Sequence, residues 1–122
     1  MKKSRKTVLI GATPNETRYA YWAAKKLMAN KHETILIGIK KGHISNNPIL
    51  NSKVDLQGVH TVTLYLGPAR QQEYYDYILK MRPKRIIFNP GTENPELVER
   101  AQLQGIETLE DCTLMMLDTG RY

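Results

Sequence analysis

The sequence predicts an α/β fold: a three-layer sandwich on a mainly parallel five-stranded sheet. Three observations carry that expectation. Short apolar segments recur along the chain, stretches of helical spacing separate them, and turns rich in Gly, Pro and Asn close them. Segments this continuously apolar suit strands covered on both faces rather than strands with one face in water.

The first strand is Val8, Leu9 and Ile10, which follow a basic leader and are stopped by Gly11. A tight Gly-Ala-Thr-Pro-Asn turn comes next, and Thr13 or Asn15 can cap the helix behind it; Thr13 with Glu16 has the spacing of a capping box. Ala20, Ala23, Ala24, Leu27 and Met28 form a helical stripe of mostly small residues suited to lying close on a sheet. Residues 34–39 are the second strand, which completes a crossover unit. Residues 40–59 contain Gly42, Pro48 and several Asn and Ser, and read either as a ligand-covering loop or as a weak crossover helix. The third strand, residues 60–66, is rich in Val, Thr and Tyr.

Residues 71–81 are predicted helical, with Tyr74, Tyr75, Ile78 and Leu79 on one side, Tyr77 at the surface, and Arg82-Pro83 as the stop. Residues 85–88 make the fourth strand and run into the turn Asn89-Pro90-Gly91-Thr92. Asn94 then reads as a cap with Pro95 at the first helical position; Leu97, Val98 and Ala101 are the apolar side, and Gly105 is the stop. A short fifth strand, residues 106–109, leads to Asp111 and Cys112.

With 122 residues the chain suits one domain, expected at residues 7–122 behind a basic, flexible leader at residues 1–6. No apolar stretch reaches membrane-spanning length, and MKKSRK lacks the apolar part of a signal peptide. A single cysteine cannot form an internal disulfide, which agrees with a cytoplasmic location. The net charge is +6, and four cations of the leader (Lys2, Lys3, Arg5 and Lys6) supply much of it. Residues 1–92 hold sixteen Lys or Arg against five acids, and residues 93–122 hold two against seven. This asymmetry favours a polyphosphate ligand for the first part. The aromatic residues show no RNA-binding sheet motif, which argues against nucleic acid as the partner.

A glycine turn between a buried strand and a helix is where an open parallel sheet holds a phosphate. Arg18 lies off the apolar stripe and is either a solvated charge or a contact to the same anion; the loop in front of it favours the contact. In a doubly wound sheet, the turns carrying residues 11–15, 40–43 and 89–92 would converge. The dinucleotide fingerprint is absent, since there is one glycine at the first turn and the second strand ends Ile39-Lys40-Lys41, with no acid for ribose hydroxyls. Paired lysines there are either solvent-facing or a site for a phosphorylated ribose. Coenzyme A carries such a phosphate and fits better than NAD; NADP remains admissible on charge.

On these residues the chain resembles the small stand-alone CoA-binding domain family, similar to the nucleotide-binding domain of the succinyl-CoA synthetase alpha subunit. The marks are Gly11-Ala12-Thr13-Pro14-Asn15 with Arg18 and Tyr19, the segment Ile86-Ile87-Phe88-Asn89-Pro90-Gly91, and Gly105-Ile106 through Asp111-Cys112. The resemblance implies a Rossmann-like fold and coenzyme A or acyl-CoA as cofactor. It implies that Gly11, Ala12, Thr13 and Arg18 hold the pyrophosphate region, with Asn15 in the same turn. Lys40 and Lys41 would meet the adenosine end, and Asn89, Pro90 and Gly91 would border the exit of the pantetheine arm. Members commonly carry a glutamine before that second glycine turn, where this chain has Asn89-Pro90.

The synthetases of that class use a histidine in a further domain. Here His32, His43 and His60 are scattered, with His32 expected at the surface and only His43 in the ligand loop, and no cluster has metal-ligand spacing. Cys112 reads either as a small core residue or as a thiol able to exchange with that of coenzyme A. The leading expectation is a non-catalytic CoA or acyl-CoA binding module, a sensor or enzyme accessory. The alternative is an enzyme acting on a CoA thioester or other nucleotide with residues supplied by a partner or dimer interface. Trp22, the tyrosines and the run Leu114, Met115, Met116, Leu117 suit either a homodimer interface or the cover of the sheet.

Overall fold

The computed structural model describes residues 3–122; Met1 and Lys2 of the leader lie outside them. The strands are β1 (Thr7–Ile10), β2 (Thr34–Ile37), β3 (His43–Ile44), β4 (Asn47–Leu50), β5 (Thr61–Leu64), β6 (Arg85–Phe88) and β7 (Glu107–Glu110). They form one sheet in the order β3-β4-β2-β1-β5-β6-β7. Every pairing is parallel except β3 with β4, and Val8 stands between Ile35 and Val62 in register. The Rossmann-like α/β class therefore holds, but the sheet has seven strands rather than five.

The two added strands come from residues 40–59, expected as a loop or crossover helix. His43–Ile44 and Asn47–Leu50 form a hairpin around Ser45-Asn46, with Ser45 at φ 53°. The hairpin joins the sheet because Leu36 and Ile37 pair with Ile49 and Leu50, and because Ile44 and Ile49 bury their side chains on the α1 side. Residues 51–60 then cross back along the face of the sheet that carries α3, where Leu56 and Val59 pack into its apolar layer. The Tyr77 hydroxyl, expected at the surface, instead donates to the Val54 carbonyl at 2.6 Å and holds this crossing.

Alternation along the buried strands separates two apolar layers. Leu9, Leu36 and Ile87 face α1 (Tyr19–Ala29) and α5 (Thr113–Asp118). Val8, Ile10, Val62, Ile86 and Phe88 face α3 (Tyr75–Met81) and α4 (Pro95–Leu103). The predicted stripe on α1 is buried at Ala20, Ala23, Ala24 and Leu27, with Met28 partly so. The helix predicted over residues 71–81 is interrupted: a four-residue α2 (Pro68–Gln71) passes through a 3₁₀ turn at Gln72–Tyr74 into α3. Asn94 caps α4 as predicted, its Oδ1 accepting from the Leu97 amide at 3.3 Å with Pro95 at the first helical position.

One further expectation changes. His32 is buried rather than exposed, and its Nδ1 accepts the Arg5 amide at 2.9 Å. Arg5 and Lys6, expected in a loose leader, also donate to the Tyr122 and Gln57 carbonyls. In the C-terminal run, Met116 is buried while Leu114 and Leu117 pack on the core, so only Met115 faces outward. Among the described residues no helix is long and apolar enough to cross a membrane.

Candidate functional site

The strand order reverses around β1: the chain moves outward to β2 and the edge strand β3, returns through β4, and then crosses back to β5 on the other side of β1. A parallel sheet opens a crevice at such a reversal, beyond the carboxyl ends of its strands. A cavity of about 500 Å³ lies there, walled by the loops after β1, β2 and β5 and touched by Pro90 after β6.

Two glycines let these loops meet. The Gly11 and Ala12 amides both donate to the Ile37 carbonyl, at 2.8 and 3.0 Å, folding the first loop over the end of β2. Gly11 has φ 102°, and a Cβ there would stand 2.7 Å from the Tyr65 carbonyl oxygen; a Cβ on Gly38 would stand 2.6 Å from that of Ala12. The loop's polar side chains brace the loop itself. Asn15 Oδ1 accepts from the Thr17 amide at 3.0 Å and the Thr17 hydroxyl at 2.8 Å, and the Asn15 amide donates to Thr13 Oγ1 at 3.2 Å. The expected capping by Thr13 or Asn15 is therefore replaced: α1 begins at Tyr19, and Arg18 occupies the cap position without a side-chain cap bond. Trp22 Nε1 closes the loop from the helix side by donating to the Glu16 carbonyl at 2.8 Å.

Of the residues expected at the site, Gly11, Ala12, Thr13, Asn15, Arg18, Lys40 and Pro90 line the cavity, while Lys41, Asn89 and Gly91 do not. Lys41 and Gly91 are exposed beside it. Asn89 is buried, and its side chain is committed internally. Nδ2 donates to Thr63 Oγ1 at 2.7 Å and the Leu64 carbonyl at 2.9 Å, and Oδ1 accepts the Thr113 amide at 2.8 Å.

The wall missed from sequence follows β5: Tyr65 and Leu66 from the end of the third predicted strand, Arg70 from α2 and Tyr74 from the 3₁₀ turn. The signal was the Gly67-Pro68 stop followed by an arginine. Gln71 fixes this wall from behind: its Nε2 donates to the Leu66 and Thr92 carbonyls at 2.9 and 2.8 Å, and its Oε1 accepts from Asn94 Nδ2 at 2.9 Å. Burial pushes the Tyr65 and Tyr74 phenols up, so both stay neutral donors at physiological pH.

Arg18, Lys40 and Arg70 bring three cations to one cavity whose lining includes no Asp, Glu, His or Cys. None of the three forms an ion pair among the described residues. Such a site attracts a ligand bearing several negative charges. His43 lies on β3 with its Nδ1 2.9 Å from the Ser45 carbonyl, and Cys112 is half-buried at the start of α5; neither lines the cavity. No three His, Cys, Asp or Glu among the described residues are grouped to hold a metal ion.

Fold and cavity together define a nucleotide-type binding domain on an open parallel sheet. The chain belongs to the CoA binding domain family, whose model matches residues 5–118. It is similar to the crystal structure of an uncharacterized protein, with 48% identity and a TM-score of 0.97 over 99% of this chain and 100% of that one. A hypothetical protein from Pyrococcus horikoshii OT3 shares the fold at 22% identity and a TM-score of 0.86, covering 96% of this chain and 84% of that one. Aspartate semialdehyde dehydrogenase II from Vibrio cholerae shares it more distantly, at 12% identity and a TM-score of 0.56, over 88% of this chain and 38% of that one. No curated protein matches the chain.

Proposed function

We propose that this protein is a coenzyme A or acyl-CoA binding module that does not turn its ligand over on its own, acting as a sensor or as an accessory to an enzyme. The observation that carries the reading is the cavity lined by Arg18, Lys40 and Arg70 with no acid in its wall. Coenzyme A presents a pyrophosphate and a ribose phosphate, so its anions match a site with several cations. NAD brings only the pyrophosphate and needs an acid for its ribose hydroxyls, and the β2 loop offers Lys40 in that place. Membership of the family supports the same ligand. In this reading Gly11, Ala12, Thr13, Asn15 and Arg18 hold the pyrophosphate, Lys40 and Lys41 the adenosine phosphate, and Asn89, Pro90 and Gly91 border the pantetheine exit. Asn89 does so through its backbone position, since its side chain is bonded internally.

Calorimetric titration with coenzyme A, dephospho-CoA and NAD tests the ligand. The expected result is a preference for coenzyme A over dephospho-CoA of about tenfold, the value of one charge-assisted contact. Equal weak binding of all three, or none, sinks the assignment. Incubation with a panel of acyl-CoA thioesters tests the second half, and steady release of free thiol would overturn the non-catalytic reading.

A further inference from the structure

We propose that Asn51 is a positioning residue that sets the preference for a phosphorylated ribose by fixing the loop that carries Lys40. Asn51 follows β4 and is exposed. Its single side-chain nitrogen donates to two carbonyls of the β2 loop, Gly38 at 2.7 Å and Lys40 at 2.9 Å. The neighbouring residue at the same strand end adds a backbone tie, the Gly38 amide donating to the Leu50 carbonyl at 3.1 Å. The two carbonyls flank Ile39, whose side chain is 63% exposed and lines the cavity together with Lys40.

The chemistry of a primary amide fits this position. Nδ2 has two hydrogens, and both are spent, one on each carbonyl. Aspartate has no donor and would oppose two carbonyl oxygens with a carboxylate. The hairpin thereby serves the site: it brings a donor from beyond β4 onto the loop between β2 and β3, and holds the backbone of Lys40 while its side chain stays free to meet an anion.

This inference rests on the coenzyme A reading, and the test separates the two. Affinities for coenzyme A and dephospho-CoA are measured on the full chain, on Asn51→Ala, on Lys40→Ala and on the double variant. Asn51→Ala removes both bonds, and the loosened Lys40 is expected to reduce the preference for coenzyme A about fivefold, within the roughly tenfold that the Lys40 contact supplies. In the Lys40→Ala background the same change is expected to leave the preference unaltered. Equal weakening toward both ligands, or an undiminished effect without Lys40, overturns the proposal. Amide hydrogen exchange across residues 38–42 of the ligand-free protein reads the tie directly and should rise in Asn51→Ala; unchanged exchange also overturns it. If the unaltered protein binds neither ligand while exchange still rises, it is the coenzyme reading that has failed, and the specificity role falls with it.

Discussion

Replacing Gly11 with alanine should destabilise the fold more than the same change at Gly38, and the difference measures backbone strain. Both substitutions push a methyl group into a backbone carbonyl: Tyr65 at 2.7 Å for residue 11, Ala12 at 2.6 Å for residue 38. Relieving such a contact by loop displacement costs about 1–3 kcal/mol. Both gain about 0.4–1 kcal/mol from a less flexible unfolded chain. Only residue 11 has φ 102°, which adds about 1–3 kcal/mol for an L side chain. Gly38→Ala should therefore lose about 1–2 kcal/mol and Gly11→Ala about 2–4 kcal/mol. Urea melts followed through Trp22 report the change as a shift in midpoint at constant slope. Equal losses in the two variants would refute the strain argument, and losses under about 0.5 kcal/mol in both would refute the close contact of the loops.

Three other perturbations separate binding from folding. Arg18→Ala and Arg70→Ala should each weaken coenzyme A about tenfold and flatten the salt dependence of binding while leaving the urea midpoint in place; an affinity insensitive to Arg70 would remove the β5 wall from the site. Asn89→Ala and Asn94→Ala should do the reverse, losing about 2–4 kcal/mol because Thr113, Leu97 and their neighbours are left with unpaired buried groups. Affinity per folded molecule should hold, and a Kd that moves with Asn89 alone would return its side chain to the ligand. Burial, aided by Arg85, Arg5 and Lys84, lowers the His60 imidazole to about 4. The unfolded chain then binds the proton more readily, so this contribution is complete above about pH 6.5 and lost as pH falls toward 4. Discounted for screening of a part-exposed ring, it is worth about 1 kcal/mol. His60→Gln should flatten the pH dependence of the urea midpoint across that interval, and an unchanged slope would contradict the shift.

The strands β1, β2 and β6 were legible because each holds a run of three large apolar residues, the trace that burial on both faces leaves in sequence, and β5 was legible from its β-branched Thr and Val. The hairpin left none: Ile44 and the pair Ile49-Leu50 stand among Gly, Ser, Asn and Pro, too short a pattern to mark strands, and their partners on β2 and α1 lie elsewhere in the chain. In the first loop the glycine turn and the arginine were legible because they fall within a few positions, whereas the helix start was not, since Thr13 and Asn15 bond within the loop and α1 begins only at Tyr19. The β5 wall was not, since Arg70 reaches the cavity only through a short helix whose placement depends on Gln71, Thr92 and Asn94. His32 and Asn89 show the opposite error. A polar residue next to a strand end reads as exposed or ligand-facing until its internal partners, here the Arg5 amide and the Thr63–Thr113 pair, are known.

A division of labour follows from these corrections. The side-chain amides of Gln71, Asn89 and Asn94 are buried: Gln71 ties the segment after β5 to Thr92 and Asn94, Asn89 ties β6 to β5 and the start of α5, and all three spend their polarity on bracing the walls of the crevice. The charges of Arg18, Lys40 and Arg70 are exposed, so the empty site carries no unpaired buried ion and incurs little desolvation cost. An anion that enters therefore meets a backbone already in place and cations that need only reorient their side chains, which limits the ordering cost of binding. The arrangement suits a ligand whose anions are spaced along its length, because the three cations come from three separate segments: Arg18 at the start of α1, Lys40 on the loop after β2 and Arg70 on α2.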